Sequence, residues 1–233
     1  MLPSDAQNFL ARGLAIMGLS LENQPEALSR LSRYFRELKK WNSRINLVAR
    51  TLDDQQILEK HFLDSLSLIS LLPAAGEVQE TILDVGTGAG FPGLVLKAAC
   101  PGLSVTLVEP RKNRFFFLKH IVRVLRLTGV ELFAIRLQEK GETKELSGRR
   151  FSFITSRAFT DTTKFIRLTA PYLEKEGRIV LMKGPGAGNE LNDPGGNGMD
   201  ERFFVAETRK LRLPFSKGER LLVSIKGSGE TNR

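Results

Sequence analysis

A glycine-rich segment over residues 84–93 carries the clearest chemical signal in the sequence. It reads Asp-Val-Gly-Thr-Gly-Ala-Gly-Phe-Pro-Gly and follows a short apolar run over 81–85. Glycine permits positive φ angles there and lets a ligand approach the backbone closely. A helix that starts near Pro92 would offer unpaired N–H groups in its first turn. The segment therefore predicts a site for a nucleotide-type ligand.

The spacing of the glycines fits two ligands, and the motif alone leaves both open. Gly88, Gly90 and Gly93 match the dinucleotide fingerprint, whereas Gly86, Gly88 and Gly90 have the spacing of S-adenosylmethionine-dependent methyltransferases. Glu109, about twenty residues further on at the end of the next predicted strand, could hold ribose hydroxyls in either case. A Walker-type phosphate loop is excluded, because no Gly-Lys-Ser/Thr follows.

The elements that position this turn follow from the hydrophobic pattern. Apolar runs alternate with helical stretches after residue 81, which predicts right-handed crossovers and a parallel sheet covered on both faces. The last two runs have no helix between them and predict an antiparallel hairpin at one edge. We predict strands at 81–85, 104–109, 130–135, 151–156, 178–183, 202–211 and 219–226, with helices over 93–100, 111–127 and 160–173. The fold class is a doubly wound α/β domain with a mostly parallel seven-stranded sheet.

Residues 1–80 predict an N-terminal helical extension packed on that domain. An apolar stripe at three- and four-residue spacing indicates a helix that begins near Pro25. Asp53 and Asp54 suit the start of a second helix, and His61 to Leu72 predicts a third. The stripe consists of Ala27, Leu28, Leu31, Tyr34, Phe35, Leu38 and Trp41. The methyltransferase-type domain spans 81–226, residues 184–200 predict a loop, and 227–233 predict a disordered tail.

Composition excludes several classes of protein. The 233 residues include one cysteine, Cys100, and two histidines, His61 and His120, so an internal disulfide or a Cys/His zinc cluster cannot form. No apolar run is long enough to span a bilayer. We expect a cytoplasmic protein with no metal and no membrane partner. The net charge of +9 fits a polyanionic partner, but composition alone leaves a basic protein without such a partner equally open.

Between about residue 25 and residue 226, the chain resembles the bacterial 16S ribosomal RNA guanine-N7 methyltransferases, also called the glucose-inhibited division protein B family. The order and spacing of several short motifs together carry this resemblance. They are Trp41-Asn42, Asn46-Leu47, His61-Phe62-Leu63-Asp64-Ser65, the glycine segment 84–93, Ser156-Arg157-Ala158-Phe159, Lys183-Gly184 and Gly218-Glu219-Arg220.

The resemblance implies the class I S-adenosylmethionine-dependent methyltransferase fold, S-adenosylmethionine as cofactor, and 16S ribosomal RNA or a small-subunit particle as partner of a monomeric enzyme. It implies cofactor contacts at Gly86, Phe91, the backbone of Leu137 and Gln138, and Arg157, beside Gly88, Gly90 and Glu109. Many relatives have Glu where this chain has Gln138. We expect RNA contacts at Arg44, Asn46, Arg111, Lys112, Arg114 and Lys183.

Guanine N7 carries a lone pair and no proton, so its methylation by in-line attack requires no general base. Positioning alone can supply ~7–11 kcal/mol of such a barrier. We therefore name no firm catalytic residue. The candidates for positioning the substrate are Arg157 and Lys183, which end the fourth and fifth predicted strands, and His61. A surface ion pair with an acid such as Asp161 is the competing interpretation of the two strand-end cations.

Other chemistries leave marks that the sequence lacks, with two exceptions. Methylation at pyrimidine C5 needs a cysteine nucleophile, and Cys100 falls at a helix end away from the strand tips. Methylation of an exocyclic amine goes with a proline-rich loop where this chain has Ser156 to Phe159. Ribose methylation with Lys183 as base, or methylation of another base, stays open. So does a non-catalytic RNA-binding module on the same fold.

The predicted helix over 111–127 is crowded with cations, a pattern typical of a solvated face. With the resemblance in view, these side chains are candidates for contacts with RNA phosphates. They are Arg111, Lys112, Arg114, Lys119, Arg123 and Arg126. Phe115, Phe116 and Leu118 interleave with the cations and are predicted to pack the helix on the sheet.

Overall fold

Seven strands form one sheet in the order β3-β2-β1-β4-β5-β7-β6 in the computed structural model, which describes residues 1–72, 80–139, 141–157, 161–184 and 201–228. Neighbouring strands from β1 to β5 run parallel, and β7 is antiparallel to both β5 and β6. The strands are β1 Thr81–Val85, β2 Ser104–Val108, β3 Val130–Phe133, β4 Phe151–Ser156, β5 Leu173–Lys183, β6 Phe203–Arg212 and β7 Glu219–Gly227. The predicted fold class is confirmed.

The strand order reverses between β1 and β4, because the chain runs outward from β1 through β2 to β3 and then returns to the other side of β1. Open α/β sheets bind ligands at such a reversal, outside the carboxyl ends of the strands. The glycine segment follows β1 and Arg157 follows β4, so both lie at this point.

Helices cover both faces of the sheet. The α-helices are α1 Pro3–Ile16, α2 Gln24–Asn42, α3 Asp54–Ile57, α4 Asp64–Leu66, α5 Gly93–Ala99, α6 Lys112–Val124 and α7 Thr162–Thr169. The N-terminal helices share one hydrophobic core with α5 and α6, while α7 packs in a second core on the opposite face. Successive residues of β1 point to opposite faces of the sheet, so Ile82 packs in the first core and Leu83 in the second.

The apolar stripe predicted for the N-terminal region packs as expected. Six of its side chains are buried in α2, and Trp41 is half-buried. The hydroxyl of Tyr34 donates a hydrogen bond to the carbonyl of Ala89 at 2.5 Å, and Arg30 Nε donates to the carbonyl of Ala98 at 2.7 Å. These two bonds attach α2 to the segment that follows β1.

The two helices predicted after Asp53 are one continuous helical segment, so their separation was wrong. Asp53 does begin it, because its side chain accepts a hydrogen bond from the backbone N–H of Gln56 at 2.8 Å. The segment then passes through a π-helix, Leu58–Leu63, and α4 into a 3-10 helix, Ser67–Leu71. No glycine or proline lies between residues 53 and 72 to interrupt it.

Other predicted boundaries differ by a few residues, each for a local reason. Helix α6 ends at Val124 rather than 127, since Arg126 takes a positive φ of 53°. Strand β5 begins at Leu173 rather than 178, because backbone pairing with β4 extends beyond the apolar run through a bulge. Gly227 belongs to β7 rather than to the predicted tail. Residues 229–233 and 185–200 lie outside the described residues.

The packing prediction for the aromatic residues of α6 was wrong at one position. Phe116 is 56% exposed, while Phe117 and Leu118 are fully buried and Phe115 is half-buried. A helix advances by about 100° per residue, so in a run of three phenylalanines only the register decides which ring faces the core. Among the helices that the structure describes, none is long and apolar enough to cross a membrane.

Candidate cofactor crevice and substrate edge

The turn after β1 is built from left-handed backbone. Gly86, Gly88 and Gly90 have φ angles of 73°, 63° and 90°, which glycine adopts at little cost. A Cβ on Gly90 would lie 2.1 Å from the Tyr34 hydroxyl oxygen, so this glycine is packed against α2. A Cβ on Gly86 would have no atom within 4 Å, so at this position the backbone faces open space. The turn is thus fixed from behind and accessible in front.

Asp84 holds the turn from inside the protein. Its Oδ2 accepts hydrogen bonds from the Thr87 hydroxyl at 2.6 Å and from the Gly93 backbone N–H at 2.8 Å. Its Oδ1 is buried with no hydrogen-bond partner among the described residues. Burial raises the pKa of this carboxyl from 3.8 to about 6, although the bonds from Thr87 and Gly93 oppose the shift. The sequence motif contained Asp84, but its structural role was not predicted.

The raised pKa of Asp84 predicts a pH-dependent stability. A carboxyl with a higher pKa in the folded state stabilises the fold while protonated and loses that contribution as pH rises from about 4 through 6. Against Asp84→Asn, which retains an oxygen acceptor but cannot ionise, the wild-type free energy of unfolding should fall by about 3 kcal/mol over this interval. Urea unfolding at a series of pH values measures the difference. Parallel pH curves for the two proteins would contradict the prediction.

Glu109 connects the end of β2 to the glycine turn. Its carboxylate accepts a hydrogen bond from the Gly88 backbone N–H at 2.9 Å on Oε2 and one from the Arg111 backbone N–H at 2.8 Å on Oε1. Two carboxylate oxygens offer about four acceptor positions in total, so the two bonds leave room for two further donors. Glu109 can therefore both fix the turn and accept bonds from the two hydroxyls of a ribose.

The π-helix Leu58–Leu63 forms the wall opposite the turn. The carbonyl of Lys60 accepts a hydrogen bond from Arg157 Nη1 at 3.0 Å, and Asp64 Oδ2 lies 3.9 Å from the same nitrogen. Asp64 Oδ1 accepts a bond from Arg220 Nε at 3.0 Å. Arg157 therefore pairs with the N-terminal region. The ion pair of Arg157 is therefore with the largely buried Asp64 rather than with Asp161 at the surface, whose side chain caps α7 by accepting from the Lys164 N–H at 2.8 Å.

Two planar groups, the Arg157 guanidinium and the His61 imidazole, lie close to the Phe91 ring. The Arg157 guanidinium carbon lies 4.9 Å from the centre of the Phe91 ring, and the His61 ring lies 5.0 Å from it at an interplanar angle of 18°. Both ring nitrogens of His61 are buried and have no hydrogen-bond partner within the described ranges. Burial, followed by the charges of Arg157, Lys60 and Arg220, lowers the pKa of His61 to about 3. The imidazole is therefore neutral at physiological pH.

The predicted cofactor and substrate residues fall into two groups. Gly86, Gly88, Gly90 and Phe91 follow β1, Glu109 follows β2 and Arg157 follows β4, and Lys183 ends β5 at the same edge of the sheet with 7% exposure. Leu137 and Gln138 follow β3, where Leu137 packs on the second core. The backbone N–H of Gln138 donates to the Thr143 hydroxyl at 3.0 Å. A ligand contact through that N–H would have to replace this bond.

The predicted RNA-binding residues named for α6 and for the loop after α2 lie in two different places. Arg111 and Lys112 are exposed at the start of α6. Arg114 is half-buried and leans over the turn, since its Nη1 lies 3.6 Å from the position of a Cβ on Gly88. Arg44 and Asn46 are exposed on the loop after α2 rather than in the crevice. Asn42 holds that loop, because its side-chain oxygen accepts from the N–H groups of Leu47 at 2.9 Å and Val48 at 3.0 Å.

Comparison with known proteins identifies the family. The family model for GidB, rRNA small subunit methyltransferase G, matches residues 27–223. The chain belongs to the GidB family. A relative named ribosomal RNA small subunit methyltransferase G, from Desulfotalea psychrophila, is 40% identical over 227 residues, which cover 95% of this chain and 99% of the relative. Another of that name, from Myxococcus xanthus, is 38% identical over 212 residues and covers 91% and 92% of the two chains.

A more distant structure supports the fold alone. Precorrin-6y C5,15-methyltransferase from Geobacter metallireducens aligns with a TM-score of 0.52 at 15% identity, over 78% of this chain and 93% of that chain. Membership of the GidB family confirms the resemblance that the motifs indicated. The chain is therefore an S-adenosylmethionine-dependent methyltransferase of the ribosomal RNA small subunit family. The dinucleotide alternative that the glycine spacing left open is excluded.

Proposed function

We propose that this enzyme methylates N7 of a guanine in 16S ribosomal RNA, with the base held between the His61–Phe91–Arg157 cluster and the end of β5. The observation that carries the proposal is the neutral imidazole of His61, whose two buried nitrogens have no partner among the described residues. Buried polar groups without partners cost free energy and call for an explanation. A bound base would supply the missing hydrogen bond.

The crevice fits S-adenosylmethionine. Its turn is accessible at Gly86, where a Cβ would meet no atom within 4 Å, and the Glu109 carboxylate has spare acceptor positions for two ribose hydroxyls. When bound, the cofactor supplies an electrophilic methyl group. The backbone of the glycine turn, Phe91, Glu109 and Arg157 would hold it, with Leu137 and Gln138 on the adenine side.

The chemistry asks the protein to orient a base rather than to move a proton. Guanine N7 has a lone pair, so no side chain has to remove a proton before methylation. The N–H of a neutral His61 can donate to guanine O6 and leaves the N7 lone pair unengaged. The Arg157 guanidinium lies over Phe91 and presents a flat cation on which a base can stack. Lys183 places a second positive charge at the same edge.

His61→Phe separates this role from a structural one. Phenylalanine retains the contact with Phe91 and removes both unpartnered nitrogens. We expect kcat/KM for RNA to fall by about 10- to 100-fold, the value of a hydrogen bond to the substrate, while affinity for S-adenosylmethionine and thermal stability stay equal or rise. His61→Gln, which retains a donor and an acceptor, should keep more activity. Loss of cofactor binding together with activity would mean that His61 supports the fold instead.

Mapping the modified nucleotide tests the proposed function itself. The enzyme should transfer radiolabelled methyl from S-adenosylmethionine to 16S ribosomal RNA or to the small subunit, and reduction followed by aniline cleavage should locate N7-methylguanosine. Label on a ribose hydroxyl would favour the alternative in which Lys183 acts as a base. Label on another base atom, or no transfer with either substrate, would refute the proposal.

The division of labour along the chain is part of the same proposal. Residues 1–80 shape the crevice through Tyr34, the π-helix and Asp64, and the domain over 81–226 holds the cofactor. We propose a monomer that acts in the cytoplasm, where ribosomal subunits are its substrate. Light scattering of the purified enzyme with and without RNA tests the oligomeric state.

A further inference from the structure

A cleft separate from the crevice lies between the C-terminal half of α2 and the middle of α6. Its volume is about 790 Å³, and none of its lining side chains belongs to the glycine turn or the π-helix. Its floor includes Trp41 and His120, and its walls carry Arg36, Lys39, Lys40 and Arg44. The function proposed above assigns no role to this cleft as a whole.

The charge of the cleft is strongly positive. The cleft is lined by four cationic side chains, by the Met1 amino group, which pairs with Asp54, and by one carboxylate, Glu37, which accepts a hydrogen bond from His120 Nε2 at 2.7 Å. Lys39 pairs with Asp54 at 2.6 Å, and Lys40 lies 3.4 Å from Glu37. Arg36 and Arg44 are exposed, and neither forms an ion pair within the parts of the chain that the structure describes. The cleft therefore suits an anionic ligand.

The floor of the cleft is aromatic. Trp41 is half-buried, with its ring centre 5.6 Å from that of Phe117 and 5.1 Å from that of His120. Phe117 is fully buried, so the indole is supported from below. A supported aromatic ring among exposed cations is the combination with which proteins bind single-stranded nucleic acid, by stacking bases and contacting phosphates. An acidic peptide would use the cations but would leave the indole without a stacking partner.

We infer that this cleft binds an unpaired nucleotide of the RNA substrate, with its base on Trp41 and its flanking phosphates on Arg36 and Arg44. The inference rests on the proposed function only in taking RNA as the substrate. It adds a second anchoring point outside the crevice. A nucleotide held at both points would fix the orientation of the RNA on the enzyme.

The protein carries its own probe, because Trp41 is the only tryptophan in the chain. Titration of the full-length enzyme with oligouridylate should quench its emission in a saturable manner that high salt reverses. Arg36→Glu and Arg44→Glu should weaken binding by about fivefold each and reduce the slope of log K against log salt by about 0.7. Arg33→Glu and Arg50→Glu are matched controls, since both residues are exposed but do not line the cleft.

The outcomes separate this inference from the proposed function. If oligouridylate does not change the Trp41 emission, or if Arg36→Glu and Arg33→Glu weaken its binding equally, the inference about the cleft is overturned. Methylation of 16S ribosomal RNA would be unaffected by either result. Quenching by oligoglutamate as strong as by oligouridylate would assign the cleft to an acidic protein and would also overturn it. If the enzyme does not methylate RNA but shows the predicted quenching and the predicted difference between cleft variants and controls, the inference about the cleft holds. The proposed function is then refuted.

Discussion

Alanine at Gly90 should destabilise the protein by about 3–5 kcal/mol. Two costs combine, because the residue has a φ of 90° and its new Cβ would lie 2.1 Å from the Tyr34 hydroxyl oxygen and 2.9 Å from Leu94 Cβ. A strained backbone costs about 1–3 kcal/mol, and overpacking a closed site costs about as much again. Chemical unfolding measures the loss, and the cofactor should protect the variant far less than the wild type.

Gly102→Ala is the matched control for Gly90→Ala. A Cβ on Gly102 would have no atom within 4 Å, and this glycine is not among those with positive φ. The unfolding free energy of the Gly102→Ala variant should stay within about 0.5 kcal/mol of that of the wild type. Tyr34→Phe added to Gly90→Ala should recover part of the loss by removing the hydroxyl. A cost below 1 kcal/mol for Gly90→Ala would show that α2 does not clamp the turn.

Glu109→Gln should weaken binding of S-adenosylmethionine by about 100-fold. The change removes the charge that strengthens bonds from the ribose hydroxyls, each worth about 1.5–3 kcal/mol when the acceptor is charged. Glutamine has only one side-chain oxygen, so its NH₂ would face one of the two backbone donors, the N–H groups of Gly88 and Arg111, and that hydrogen bond would be lost. Calorimetric titration measures the affinity.

Two controls distinguish a ribose contact from a loosened turn. Glu131→Gln changes an exposed carboxylate on β3 that pairs with Arg149, and it should leave the affinity unchanged. A 2′-deoxy analogue of S-adenosylhomocysteine should bind the wild type more weakly than the parent compound, whereas Glu109→Gln should discriminate little between the two. If both proteins discriminate equally, Glu109 acts only on the turn.

The residues of the crevice that sequence could identify are those close to a strand end in the chain. Gly86 and Glu109 directly follow β1 and β2, so predicting the strands places them at one edge. Arg157 follows β4 for the same reason, and its position was also predicted. The parallel arrangement of the strands is enough to predict that these residues lie together, because parallel strands end at the same edge of the sheet.

The contacts that complete the crevice join distant parts of the chain and left no local pattern. Tyr34 reaches Ala89 across 55 positions, Arg157 reaches the Lys60 carbonyl across 97, and Arg220 reaches Asp64 across 156. In the sequence, Tyr34 is one member of an apolar stripe. Only the packing of α2 in the folded protein places its hydroxyl against the glycine turn. The π-helix was missed because hydrophobic spacing does not distinguish it from an α-helix over so short a stretch.

The most direct test of the central claim is a crystal structure of the enzyme with S-adenosylhomocysteine. We predict electron density for the ligand along the backbone of Gly86 to Gly90, with its ribose hydroxyls within hydrogen-bonding distance of Glu109 and with the side chains of His61 and Arg157 facing the vacated methyl position. Density at any other location, or a crevice filled by protein side chains while the ligand binds elsewhere, would contradict the account.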